Sequence, residues 1–170
     1  MIRYQRAEPA AVEELVSHLS PMLLRFITAP GLARSDAEDM LQDCWLRIHR
    51  SRSSYRASEP LLPWIFAIAR HAKLDGYRRR RRLGAREFLV AEAPEREDTS
   101  GQPIVAAGGS DVERLLNALP ESQREVVLML KVSGMSVEEV ARATASTPGA
   151  VKQKAHRAYE KLRALLTGGR

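Results

Sequence analysis

The residues best equipped for chemistry in this chain are basic, and the chemistry they suit is neutralisation of phosphate rather than bond making. Between Arg70 and Arg86 stand eight Lys or Arg: Arg70, Lys73, the run Arg78 to Arg82, and Arg86. They face one acid, Asp75, for a balance of +7. Each base that meets a phosphate releases counterions, so this patch predicts binding that weakens steeply with salt. A run of five arginines also fits a solubilising helix end or a basic tail. Position favours the first reading, because the arginines continue an apolar stripe, Trp64, Ile65, Ile68, Ala69 and Ala72. They also follow a loop whose Tyr55, with Trp64, could meet unstacked bases, although Trp64 taken alone reads better as core.

A second basic cluster, Lys152, Lys154, Arg157, Lys161 and Arg163 against Glu160, carries +4. It sits behind Thr147, Gly149 and Ala150, which are small enough for close approach to a DNA groove, and a short capped helix precedes it. That is helix-turn-helix spacing, in which phosphate contacts give affinity and the first two turns read bases. The acids gather elsewhere, at Asp36, Glu38, Asp39 and Asp43. Asp36 and Glu38 oppose a helix dipole and need no partner. Asp39 and Asp43 share a face beside Gln42, with a charge that is wrong for DNA and right for a protein.

Catalysis finds no support. His18, His49, His71 and His156 are scattered, Cys44 lies on an apolar stripe, and no phosphate loop occurs. The reading therefore contains no catalytic residue, metal, cofactor or small-molecule substrate. One cysteine permits no intramolecular disulfide, and no signal peptide or membrane span is legible, which places the expectation in a reducing cytoplasm. A net charge of +6 favours a polyanionic partner, and 44% hydrophobic residues suffice for packed cores.

The elements that hold these clusters are all helical. Val12, Leu15, Val16, Leu19, Met22, Leu23 and Phe26 mark a first helix, with a bend expected at Pro21. Ser35 and Glu38 form a capping-box pattern for a second, about Asp36 to Arg50. Residues 51–63 read as a loop, and Pro63 opens a third helix ending near Arg82. Residues 87–113 hold seven acids and one base together with Pro94, Pro103 and Ala106-Ala107-Gly108-Gly109, so 91–109 reads as a flexible linker. Beyond it, Ser110 with Glu113 and Ser136 with Glu139 are further capping boxes, a helix spans Glu121 to Val132, and Thr147-Pro148 starts a last helix to Leu166. The fold class is all-α: a domain at 1–90, a linker, and a domain at 110–170.

These residues carry a family resemblance. Asp36-Ala-Glu-Asp-Met-Leu-Gln-Asp-Cys-Trp-Leu-Arg-Ile-His-Arg50 resembles conserved region 2.2 of sigma factors, and the segment from Pro63-Trp-Ile-Phe to Arg82 resembles regions 2.3 and 2.4. Leu116-Asn-Ala-Leu-Pro-Glu, Gly134-Met-Ser-Val-Glu-Glu-Val-Ala and Gly149-Ala-Val-Lys-Gln-Lys-Ala-His-Arg-Ala are similar to region 4. With regions 1.1 and 3 absent, the chain is similar to extracytoplasmic-function sigma factors of bacteria.

The resemblance implies that Asp39, Gln42, Asp43, Trp45 and Arg47 contact the β′ clamp helices of core RNA polymerase, with the β flap as a further partner. It implies −10 promoter contacts from Tyr55, Trp64, Arg70, Lys73, Arg78, Arg79, Arg80 and Arg81. It implies −35 contacts from Thr147, Gly149, Lys152, Gln153, Lys154 and Arg157, and an anti-sigma factor that holds the chain inactive, at the inner membrane where that inhibitor is anchored. One departure stands out: the family's Leu-Gly-aliphatic turn is Thr144-Ala145-Ser146 here. Alanine lacks glycine's freedom at positive φ, which predicts an altered or looser turn. Two other readings compete. A stand-alone helix-turn-helix regulator needs only residues 111–170 and leaves the acidic helix and the arginines unexplained. A sigma mimic that binds no promoter leaves the bases of both domains without a role.

Overall fold

The computed structural model describes residues 1–88 and 111–167, with side chains through Arg82 in the first segment. The 91–109 linker lies outside the described residues, as does Ser110 of the second expected capping box. Every regular element among the described residues is helical.

The first bundle contains α1 (Ile2–Gln5), α2 (Pro9–Ile27), α3 (Arg34–Ser51), a 3-10 turn (Arg52–Ser54) and α4 (Leu61–Phe88). Apolar residues at helical spacing turn inward: Leu19, Leu23, Phe26 and Ile27 from α2 meet Met40, Cys44 and Ile48 from α3 and Ile65, Phe66, Ala69 and Ala72 from α4. Each large side chain so buried contributes about 1.5–3 kcal/mol. Phe26 and Phe66 meet edge to face at 5.0 Å. Gly76 lets α3 and α4 close up, since a Cβ there would lie 2.6 Å from Met40 Cε.

α2 is one helix through Pro21, as its apolar spacing predicts. Two boundaries differ from the sequence expectation. α3 begins at Arg34 with Ala33 as its N-cap and no side-chain cap, because Glu38 accepts from Arg34 Nε at 2.8 Å rather than from the helix start. α4 begins two residues before Pro63, which still falls in the first turn, where backbone N–H groups lack intrahelical partners.

The second bundle contains α5 (Asp111–Asn117), α6 (Glu121–Val127), α7 (Val137–Ala143) and α8 (Pro148–Thr167) around Leu116, Val126, Met129, Val140, Val151 and Ala158. The helix expected over Glu121 to Val132 widens into a π turn at Leu128–Val132. There Ser133 N–H donates to Leu128 O at 3.0 Å, and Gly134, at φ +65, ends it. The Ser136–Glu139 box forms in both directions, at 3.2 and 2.7 Å, and Thr147 Oγ1 accepts from Ala150 N–H at 3.1 Å to start α8.

Between α7 and α8 the turn is closed rather than loose. Ala145 takes φ +50, Ser146 N–H donates to Ala141 O at 2.9 Å, and Ala145 N–H donates to Arg142 O at 3.2 Å, the double closure of a Schellman motif. Thr144 Oγ1 adds a bond to Val140 O and shares a hydrogen with Ser146 Oγ, both at 2.8 Å. An alanine in this conformation costs about 1–2 kcal/mol, of which glycine's greater unfolded-state freedom would return about half. Ala145→Gly is therefore expected to raise stability by about 0.5–1 kcal/mol in urea unfolding. A lower midpoint would mean that the left-handed turn is not held in solution.

Candidate nucleic-acid interface

α4 separates its two tasks along its length. Ile65, Phe66, Ala69 and Ala72 are buried, while Arg78, Arg79, Arg80, Arg81 and Arg82 project from the following turns into solvent. Arg80 lies 3.2 Å from Asp36 and Arg78 lies 3.6 Å from Asp75, so two of the five lean back onto acids of the same bundle. Exposed pairs of this kind are weak and yield readily to phosphate. Before α4, the loop places Tyr55 against Trp64 at 5.5 Å between ring centroids, both half-buried, and Tyr55 Oη donates to Glu59 O at 2.7 Å.

Lys73, expected at the −10 element, lies inside the protein in this structure. It is 1% exposed, donates to Phe26 O at 3.0 Å and to Glu125 Oε1 at 3.2 Å, pairs with Glu121, and lies 4.6 Å from the Phe26 ring centroid. Glu121 and Glu125 belong to α6, so the second bundle supplies the carboxylates that let an ammonium group be buried in the first. Arg70 is drawn into the same cluster, with Nε 3.5 Å from Glu125 Oε2. Arg124 closes its far side by donating to Glu121 at 2.6 Å and Asn117 at 3.3 Å. α7 packs along α4, and Arg142 reaches Glu59 at 3.4 Å. In this arrangement Arg70 and Lys73 face protein, not DNA.

On α3, Asp39 and Gln42 are exposed. Asp43 accepts from Arg47 Nε at 3.0 Å, and Arg47 Nη1 donates to Asp75 at 2.7 Å. That bond holds the Asp75 carboxyl below the usual range and the Arg47 guanidinium above its own. Trp45 donates Nε1–H to Ser20 Oγ at 2.9 Å, which gives its ring a part in seating α3 on α2. Sequence reasoning missed Leu46, which is 54% exposed beside Gln42. The signal was a leucine one turn from the acidic pair and off the apolar stripe. Cys44 is fully buried and burial pushes its thiol up to about 12, which suits packing and not nucleophilic attack.

On α8, Lys152, Gln153 and Arg157 are exposed, Lys154 is half-buried, and Thr147 and Gly149 lie open at the helix start. Among the described residues no group of three His, Cys, Asp or Glu side chains could hold a metal, and no helix is long and apolar enough to cross a membrane.

An arginine helix fed by an aromatic loop, an acidic helix beside it and a separate helix-turn-helix define a promoter-recognition subunit of the sigma-70 class. The family descriptions agree: sigma-70 region 2 matches residues 15–83 and sigma-70 region 4 matches residues 110–162. RNA polymerase sigma factor CarQ of Myxococcus xanthus is 34% identical over 98% of this chain and 95% of its own. ECF RNA polymerase sigma factor ShbA of Streptomyces griseus is 31% identical over 96% and 91%. Among solved structures, the sigma factor RpoE of Bartonella quintana, in complex with the anti-sigma factor NepR, superposes with a TM-score of 0.70 at 25% identity, covering 94% of this chain and 99% of that one. The chain belongs to the extracytoplasmic-function RNA polymerase sigma factors.

Proposed function

We propose that this sigma factor acts in the cytoplasm and carries core polymerase on the exposed face of α3, Asp39, Gln42, Asp43 and Leu46. It engages the −10 element with the loop around Tyr55 and the arginines of α4, and the −35 element with the start of α8. The observation that supports this reading best is that the exposed acids, the aromatic loop and the exposed bases of the last helix stand on three different elements, α3, the turn before α4 and α8, one for each partner. Replacing Lys152, Lys154 and Arg157 by alanine is expected to weaken duplex promoter binding at least about tenfold and to lower the salt slope by about 2–3. An unchanged slope in a salt titration would show that α8 does not carry the phosphate contacts.

The cluster around Lys73 adds a condition. We infer that the packed arrangement is a resting state, in which the second bundle masks Arg70 and Lys73, and that the bundles part when polymerase and promoter are engaged. The relative from Bartonella quintana, solved with an anti-sigma factor, supports an inhibitory protein as a second layer of control. Such a protein would be recovered in stoichiometric amount with the tagged chain from its uninduced host. Repeated recovery free or with polymerase alone would leave control to packing and expression.

A further inference from the structure

The four-residue α1 lies outside the segment that matches sigma-70 region 2, and nothing in the reading so far gives it a task. Its contacts are specific. Gln5 uses both hydrogens of its side-chain amide on the loop that follows α3, donating Nε2–H to Arg52 O at 2.7 Å and to Tyr55 O at 2.9 Å. Tyr4 is 3% exposed, shares a hydrogen with His49 Nδ1 at 3.1 Å, and meets that ring edge-on at 5.9 Å. Arg3 is paired with Glu8 at 2.8 Å and Glu14 at 3.6 Å, which ties α1 to the start of α2. Met1, Ile2 and Arg3 form one wall of an open cleft of about 340 Å³ whose other wall is Tyr55, Ala57 and Leu61.

The geometry points to α1 as a brace for the promoter-reading loop, with Gln5 as a positioning residue for −10 recognition. Within the Arg52–Tyr55 turn the other bonds are local, Tyr55 N–H to Arg52 O at 3.3 Å and Ser54 Oγ–H to Ser51 O at 2.7 Å, and farther along, Glu59 N–H donates to Arg56 O at 3.0 Å while its carboxylate meets the exposed Arg142 at 3.4 Å. Local bonds set a turn's shape but not its placement on the bundle. Gln5 supplies the placement, because it joins carbonyls at both ends of the Arg52–Tyr55 turn to an element fixed through Tyr4 and Arg3. Held there, Tyr55 stays against Trp64 at the root of α4, and a loop already in its binding geometry loses less entropy when a strand arrives.

This inference rests on the reading of the Tyr55 loop as a −10 contact, and the test separates the two. Full-length chain, loaded on core polymerase, selects from a single-stranded oligonucleotide library randomised over the −10 element. Wild type, Gln5→Met, which keeps shape without donors, Gln5→Asn, too short to span both carbonyls, and Tyr55→Ala are compared. Amide exchange over residues 52–59 is followed in the free protein. Both Gln5 variants are expected to speed exchange in the loop and to lower enrichment about tenfold, the scale of two lost hydrogen bonds, while binding of core and of scrambled strand stays within about twofold. That split between matched and scrambled strand is what a merely structural role would not produce.

Unchanged exchange in the loop overturns the brace. Faster exchange with wild-type enrichment, where Tyr55→Ala abolishes selection, overturns the positioning role. If Tyr55→Ala also selects as wild type does, the loop is not the −10 reader, and both the parent reading and this inference fall.

Discussion

Asp39→Lys alone is expected to weaken binding to core polymerase at least about tenfold, and Asp39→Lys with Asp43→Lys about a hundredfold or more. Like charges forced together across an interface cost several kcal/mol, and each 1.4 kcal/mol is a factor of ten. The structure makes the single variant the cleaner one. Asp39 is exposed, so its reversal touches little inside the bundle, whereas Asp43 accepts from Arg47. A lysine at 43 sets two cations side by side, but Arg47 keeps Asp75 at 2.7 Å, and the stability loss should stay near 1 kcal/mol. Equilibrium binding by fluorescence anisotropy, with thermal melts of each variant, decides the matter. Unchanged affinity in a folded double variant would remove this face from the polymerase interface.

Glu125→Ala is expected to shift the chain from packed to parted bundles by a factor of about 100. Lys73 would keep one carboxylate and one carbonyl in a site where its ammonium is 1% exposed, and removing one partner of a buried pair costs about 3–5 kcal/mol. The chain can escape that cost by opening along the α4–α7 seam, which returns Lys73 to water and leaves each bundle's helices in place, although apolar groups of the shared cluster are exposed there too. X-ray scattering should show a larger radius of gyration, and binding of a −10 strand should rise as Arg70 and Lys73 come free. Lys73→Glu combined with Glu125→Lys should recover part of the packing, since the pair is reversed rather than lost. A wild-type radius for Glu125→Ala, with one cooperative loss of stability, would show that the cluster holds a fixed core and not a separable contact.

What the sequence made legible was whatever is settled within a few residues. Helical periodicity located α2, α3, α4, α6 and α8, and the caps at Ser136 and Thr147 were visible because each is completed three residues on. Distant choices were not legible. Lys73 meets Glu121 and Glu125 across about fifty residues, and nothing near Lys73 distinguishes a base that faces DNA from one that faces an acid of another bundle. The bonds that Trp45 and Arg47 make to Ser20, Asp43 and Asp75 within the bundle were not legible either, whatever partner contacts the resemblance implies for them. α1 is too short to show a period. Ala145 was visible as a departure, but whether the turn would loosen depended on bonds from Ser146 and Thr144 strong enough to outweigh about 1–2 kcal/mol of strain.

Arg47 has a mechanical consequence. Its guanidinium joins Asp43 on α3 to Asp75 on α4, and Met40 fills the hollow that Gly76 leaves. The helix proposed to meet polymerase and the helix that carries the arginines are thus clamped like two jaws of one casting. No signal has to travel between them when the enzyme docks. On the proposed reading, seating the α3 face also sets the distance and angle at which the arginines are presented to promoter DNA, as a jig sets a drill.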